Sequence, residues 1–305
     1  MSSSGLTIRD LAIETPESIA EQYVPNPKLL GAVQVALDLG MPLLLTGEPG
    51  TGKTQLAYYL ALNLHRQRPS LFASATPEVF HTKSTSVHTD LFYQYDALRH
   101  FRDSRWENEL DKPVEDYITY EALGRAIQSA AAGHRTVVLV DEVDKALRDL
   151  PNDILNEIEH MRFTVKESRQ EFSAKPSHKP VLLFTSNQER DLPDAFRRRC
   201  VFFHIRFEDL DLMKIVRSRL GAQVSSHEQL VQAALRHFLS IRKMALDKAP
   251  AAAELINWMR YLVQEGVEVD SQQAKTRQLL AASYSLLAKS DEDLKKLTPE
   301  TNSPS

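Results

Sequence analysis

The chain has 305 residues, 42% hydrophobic and 26% charged, enough to bury a sizeable core in one large domain or two modest ones. Lys plus Arg number 37 against 41 Asp plus Glu, a net charge of −4, which argues against a broad nucleic-acid or membrane surface. A single cysteine, Cys200, excludes an intramolecular disulfide, no charged and apolar leader opens the chain, and no run approaches the ~18 apolar residues of a membrane span. A cytoplasmic protein is the expectation.

Residues 1–14 begin small and polar and read as a mobile segment. Pro42-Leu43-Leu44-Leu45 then reads as a short buried strand, and Leu56, Leu60 and Leu64 recur at helical spacing. Between them lie Gly47, Glu48, Pro49, Gly50, Thr51, Gly52, Lys53 and Thr54. This is the complete eight-residue phosphate-loop pattern in its strand–loop–helix context. Glycines let the backbone wrap closely around phosphates, and the following helix N-terminus offers unpaired N–H groups and a positive dipole. Lys53 can reach the β- and γ-phosphates, and Thr54 can ligate Mg²⁺.

The next apolar run, Leu71–Ala75, predicts a second strand. Residues 76–116 do not fit a minimal α/β domain. They interleave Phe80, Phe92, Tyr93, Tyr95, Phe101 and Trp106 with charges, ahead of a helix predicted from Ile118 to Ala132. Thr136–Val140 predicts a third strand, ending in Asp141-Glu142. Two acids at the tip of a buried strand are costly unless they act at the sheet's C-terminal edge. Asp141 would hold the Mg²⁺ shell and Glu142 would polarise the attacking water. Helix capping also suits both acids and is compatible with those roles.

Residues 162–179 read as a β-hairpin, with Phe163-Thr164-Val165 and Glu171-Phe172-Ser173 around a polar middle. Val181–Thr185 predicts the fourth strand. It runs into Asn187, whose amide could bond a γ-phosphate or the lytic water, although Asn is also a common turn residue. Arg197, Arg198 and Arg199 follow; such a run is either a solvated face or a source of charge for a phosphate in a neighbouring subunit. Val201–Ile205 predicts a fifth strand. Five strands alternating with helices argue for a parallel sheet covered on both faces. Beyond Phe207 the strand signal stops. Helices are predicted near 209–220, 227–246, 251–265 and 272–289, with breaks at Gly221, Pro250 and Gly266. The organisation expected is an α/β nucleotide-binding domain over 15–207 with inserts at 76–116 and 162–179, an all-helical lid over 208–290, and a disordered tail over 291–305.

The phosphate loop, Leu-Val-Asp-Glu-Val-Asp, Thr-Ser-Asn and Leu-Pro-Asp-Ala-Phe-Arg-Arg-Arg, in this order, resemble an AAA+ ATPase. Within that superfamily the two inserts and the phrase Leu-Asn-Glu-Ile-Glu…Arg-Phe-Thr-Val resemble the MoxR group, over about residues 15–290. The resemblance implies a P-loop AAA+ fold with a helical lid. It makes Gly47–Thr54 the Walker A loop, Asp141 and Glu142 the Walker B pair, and Asn187 sensor 1. Arg199 best matches an arginine finger, with Arg198 close behind. Tyr23 and Val24 resemble the segment that packs on adenine; plain core packing explains them as well. A lid arginine is expected near residue 253, where this chain has Ala253.

The same resemblance implies ATP and Mg²⁺ as ligands and a homo-oligomer, most often a hexameric ring. It also implies chaperone-like remodelling of a client, commonly a von Willebrand factor A domain protein. A nucleic-acid-directed restriction or defence motor is the rival AAA+ task, but the chain shows no excess of positive charge. A GTPase is disfavoured by the lack of an Asn-Lys-x-Asp motif, and a small-molecule kinase by Glu142 beside Asp141. The ten histidines, His160 and His204 among them, form no zinc-ligand spacing.

Overall fold

The computed structural model describes residues 14–104, 112–146 and 150–298; Trp106 and residues 1–13 and 299–305 of the predicted termini lie outside them. In chain order the first elements are α1 (Pro16–Glu21), α2 (Pro27–Leu39), β1 (Leu43–Gly47), α3 (Lys53–Gln67) and β2 (Glu78–His81). Next come β3 (Tyr93–Tyr95), α4 (Ala97–Asp103), β4 (Ile118–Tyr120), α5 (Ala122–Ala132) and β5 (Val137–Asp141). Then follow α6 (Leu150–Asp153), α7 (Leu155–His160), β6 (Arg162–Thr164), β7 (Glu171–Ser173), β8 (Val181–Ser186), α8 (Asp194–Arg197) and β9 (Val201–Ile205). The rest is helical: α9 (Leu212–Leu220), α10 (Ala222–Ser226), α11 (Glu228–Arg242), α12 (Ala252–Glu265), α13 (Ala274–Ser283) and α14 (Asp291–Leu297).

The central strands are apolar on both faces, which requires helices on both sides. Five strands form a parallel sheet in the order β2-β5-β8-β1-β9. Leu43 and Leu45 of β1 and Leu183 of β8 face α2 and α3, meeting Leu29, Val33, Leu56 and Leu60. Their alternates Leu44, Leu182 and Phe184 face α5 and α7, meeting Leu123, Ile127 and Ile158. The helical region has its own core around Val216, Phe238, Leu255, Trp258 and Leu262. This is the α/β architecture with a helical lid that the sequence predicts.

Four local expectations need correction. Leu71–Ala75 is not a strand: it makes one bridge, Phe72 to Arg135, while Phe72 packs into the core. The sheet strand is instead Glu78–His81, so the first insert begins after His81. Ile118–Tyr120 is not the start of a helix but pairs antiparallel with Tyr93–Tyr95; its β-branched and aromatic residues suit an extended pair. Residues 291–297 are not a tail. Ser290 caps α14 by accepting from the Asp293 N–H, and the helix buries Leu297 against the lid core. The Arg162–Ser173 hairpin is present, with Phe163 opposite Phe172.

The insert aromatics are mostly core. Phe92 stacks on Phe163 at 5.2 Å between centroids, and Phe163 stacks on Phe172 at 5.1 Å. Tyr120 stands edge-on to Phe172 at 5.4 Å. The two inserts are therefore joined through one aromatic cluster. The exception is α4, which exposes Leu98 and Phe101.

Candidate functional site

The phosphate loop leaves β1 at the point where the sheet's winding reverses: β8 lies on one side of β1 and β9 on the other. In open α/β sheets such a switch point places ligands beyond the strand C-termini. Gly47, Gly50 and Gly52 hold positive φ values of 146°, 75° and 89°, which β-carbon-bearing residues rarely adopt. A Cβ at Gly47 would lie 2.5 Å from the Ile205 carbonyl oxygen, so the loop is also pressed tightly against β9. Thr51 donates its hydroxyl to the Glu48 carbonyl at 2.8 Å, bracing the turn. Lys53 is buried and donates to the carbonyls of Gly47 (2.8 Å) and Glu48 (2.9 Å). Burial lowers its pKa, and the carboxylates of Asp141, Asp144, Glu142 and Glu48 oppose that shift.

Parallel pairing brings the other half of the site alongside. β5 and β8 pair in register, Val140 beside Phe184, so Asp141 and Thr185 follow as neighbours. Asp141 Oδ1 accepts from the Thr54 hydroxyl at 3.1 Å and from the Thr185 hydroxyl at 2.6 Å. Thr185 in turn accepts the Glu142 N–H at 2.8 Å. That bond helps hold Glu142 at φ 56°, a left-handed conformation that is costly for a residue with a side chain. Asn187 donates its amide to Glu142 Oε1 at 2.9 Å, and Lys145 donates to Oε2. The Lys145 pKa is raised, first by that bond and then by neighbouring acids.

Tyr23 and Val24 line the same cavity as the loop, with Ile215, Arg219 and Ile256 contributed by the lid. Tyr23 rests against Gly52, 3.1 Å from the point where a Cβ would stand, and burial raises its hydroxyl pKa. Ala253 also lines the cavity. A Cβ at Gly50 would meet the methyls of Ala253 and Ala251 at 3.1 and 3.2 Å, so α12 begins directly over the loop. Arg197, Arg198 and Arg199 are exposed and are not among the cavity residues. Arg197 pairs with Asp194, and Arg199 reaches Glu159 at 3.5 Å. Arg198 has no such partner among the described residues.

Thr185, Lys145 and Arg219 were not singled out by the sequence reading. Thr185 belongs to a phrase whose Asn drew attention, and only the strand register shows its hydroxyl beside Asp141. Lys145 stands three residues after Glu142 on a turn, a spacing that brings side chains together.

The residues suit a magnesium nucleotide. The Thr54 hydroxyl and Asp141 carboxylate are hard oxygen donors in contact, which is the ligand type Mg²⁺ takes. Lys53 and the glycine loop offer cationic and backbone donors to phosphate. Among the described residues no cluster of His, Cys, Asp and Glu resembles a separate metal site, and no helix is long and apolar enough to cross a membrane.

No curated protein shows a match to the chain. The AAA domain family profile, dynein-related subfamily, matches residues 42–200, from the strand before the phosphate loop to the cysteine after the arginine run. With more than half of the chain matched and the phosphate loop, paired acids and Asn187 meeting in one cavity, the protein belongs to the AAA domain family, dynein-related subfamily.

Proposed function

We propose that the protein hydrolyses ATP with Mg²⁺ as a ring-forming, MoxR-like AAA+ machine that remodels or matures a partner protein complex. The observation that carries the ATPase reading is the meeting of Lys53, Thr54, Asp141, Glu142 and Asn187 at one sheet edge. Lys53 and the backbone of Gly50–Thr54 would hold the phosphates, and Thr54 with Asp141 would hold the Mg²⁺, which supplies charge neutralisation when bound. Glu142 would accept the proton of the attacking water, with Asn187 fixing its carboxylate at 2.9 Å. Tyr23 and Val24 would pack on the base.

Arg198 is the finger candidate that the geometry favours over Arg199, because its neighbours are held within the chain. The client-remodelling part of the reading is supported by the MoxR-like order of the inserts. A von Willebrand factor A domain protein is the partner that this likeness implies, with assembly as a hexamer and work in the cytoplasm.

The test is ATP turnover and binding by purified protein. The wild type should release phosphate in Mg²⁺. Glu142→Gln should bind ATP and hydrolyse it about 100-fold more slowly or worse, since a positioned base contributes 10²–10⁴-fold. Wild-type turnover by Glu142→Gln would overturn the assignment.

A further inference from the structure

The lid presents small, apolar side chains to the phosphate loop: Ala251 and Ala253 stand over Gly50. Besides Arg219 in the cavity wall, the lid sends a positive charge onto the loop itself in Arg242, the last residue of α11. Its side chain is only 11% exposed, and Nη2 lies 3.2 and 3.5 Å from the two carboxylate oxygens of Glu48. Nη1 donates to the carbonyl of Pro250, two residues before the start of α12. The guanidinium plane covers the ring of Phe207, with Cζ 3.5 Å from the centroid. Phe207 is buried in the lid core beside Phe238, on the stretch that joins β9 to α9. One side chain thus touches the phosphate loop, the junction between sheet and lid, and the start of the lid helix that roofs the loop. Only arginine supplies a planar stacking face and several fixed donors at once; a lysine ammonium has neither.

Residue 48 is engaged at both ends. Its carbonyl accepts from Lys53 at 2.9 Å, and its carboxylate holds Arg242. Lys53 spends two of its three N–H donors on the Gly47 and Glu48 carbonyls, so a phosphate ligand that takes more than the third draws on the bonds that, with the Thr51 hydroxyl, fix residue 48. We propose that Arg242 is a positioning residue for turnover: through Glu48 it couples occupancy of the phosphate loop to the setting of α12. The inference rests on the ATP-binding reading of the loop. It assigns to Arg242 a coupling role that Ala253 has no charge to perform.

The experiment compares wild type with Glu48→Gln, Arg242→Lys and the double variant. It measures steady-state ATPase, binding of a fluorescent ATP analogue, and hydrogen exchange of residues 252–265 in ADP and in a non-hydrolysable ATP analogue. Each single variant should lower kcat about 5–10-fold, the low end of ordinary site–site coupling, and Arg242→Lys, outside the loop, should keep nucleotide affinity within about threefold. Each should also lose the nucleotide-dependent difference in protection at 252–265. The double variant should fall no further than the singles, as expected for two ends of one link. Additive losses, or singles with wild-type kcat and an intact protection difference, would overturn the proposal. Glu48 is half exposed, so Glu48→Gln carries the test if Arg242→Lys does not fold. A wild type without turnover or nucleotide binding would sink the site reading and this proposal together. A wild type that turns over alongside indistinguishable variants would sink this proposal alone.

Discussion

At the scale of single residues, Thr185 decides how the acids of the site are held. Its side chain is fully buried, donates to Asp141 and accepts from the Glu142 backbone. Thr185→Val keeps the shape and removes both bonds, leaving the partly buried Glu142 N–H unpaired at a strained residue and Asp141 without its buried hydroxyl donor. The loss should be about 1–3 kcal/mol of stability, the usual cost of an orphaned buried polar group. ATP turnover should fall about tenfold or more as Glu142 leaves its left-handed setting, since roughly 1.4 kcal/mol at the transition state is already a factor of ten. Thr185→Ser should restore most of both, and melting curves with initial rates would check it. Equal damage in the serine variant would show that the methyl, not the hydroxyl, matters. Lys53, Thr54, Asp141 and Glu142 were legible in the sequence because each stands at a fixed offset in a local motif. Thr185 was not, because its partner is set by which strand lies beside β5 and in what register, and neither is encoded locally.

At the scale of elements, the misread strand has a physical lesson. Leu71–Ala75 is more apolar than Glu78–His81, yet the latter joins the sheet because its backbone continues the ladder against Val138–Asp141. Phe72 makes a single bridge, to Arg135, and is otherwise buried by packing, and apolarity without a continuing ladder looks the same in sequence. The inserts were legible as departures from a minimal domain, but their mutual packing was not. Phe163 sits between Phe92, Phe172, Tyr93 and Tyr120. Phe163→Ala should therefore cost about 3–5 kcal/mol, the range for a buried aromatic, and loosen both inserts together. Limited proteolysis should cut the β3–β4 region and the hairpin at matching rates; release of the hairpin alone would show that the cluster does not join them. Gly124 supplies a second test, since a Cβ there would lie 2.0 Å from the Phe92 carbonyl oxygen. Gly124→Ala must push the insert off α5 and should destabilise by about 1–3 kcal/mol, as overpacking does.

The same scale explains α14. Asp293 is buried and accepts N–H bonds from Asp247 and Lys248, which fastens the helix to the loop ahead of α12. Those bonds, the Asp247 N–H foremost, hold its pKa below the ordinary 3.8 despite burial. The folded pKa is depressed, so the carboxylate stabilises the protein above its unfolded pKa, and the stabilisation is lost as pH falls through the folded value. Asp293→Asn should melt below wild type at neutral pH, with the gap closing under acid below about pH 3.8. A gap independent of pH would assign the loss to shape rather than charge.

At the scale of the whole molecule, the cavity gathers its walls from the N-terminal segment, the sheet edge and the lid. The arginine run stands outside it, exposed at the C-terminal end of α8 and the turn into β9. An exposed arginine that no carboxylate of its own chain holds is free to serve a phosphate bound by a second copy. Arg197 and Arg199 are held, by Asp194 and Glu159, whereas no carboxylate among the described residues pairs with Arg198. If the ring reading is right, Arg198→Ala should bind ATP normally and lose about 10³-fold in hydrolysis, the low end for an arginine supplied in trans. Arg197→Ala and Arg199→Ala, which break only exposed ion pairs worth about 0–1 kcal/mol, should stay within a few-fold of wild type. Mixing decides between a shared and a private site. Arg198→Ala subunits titrated into wild type should depress activity by more than their fraction, while Lys53→Ala subunits with intact Arg198 should still support a neighbouring wild-type site. Activity per wild-type subunit that stays constant at every mixing ratio and protein concentration would place all the catalytic charge within one chain.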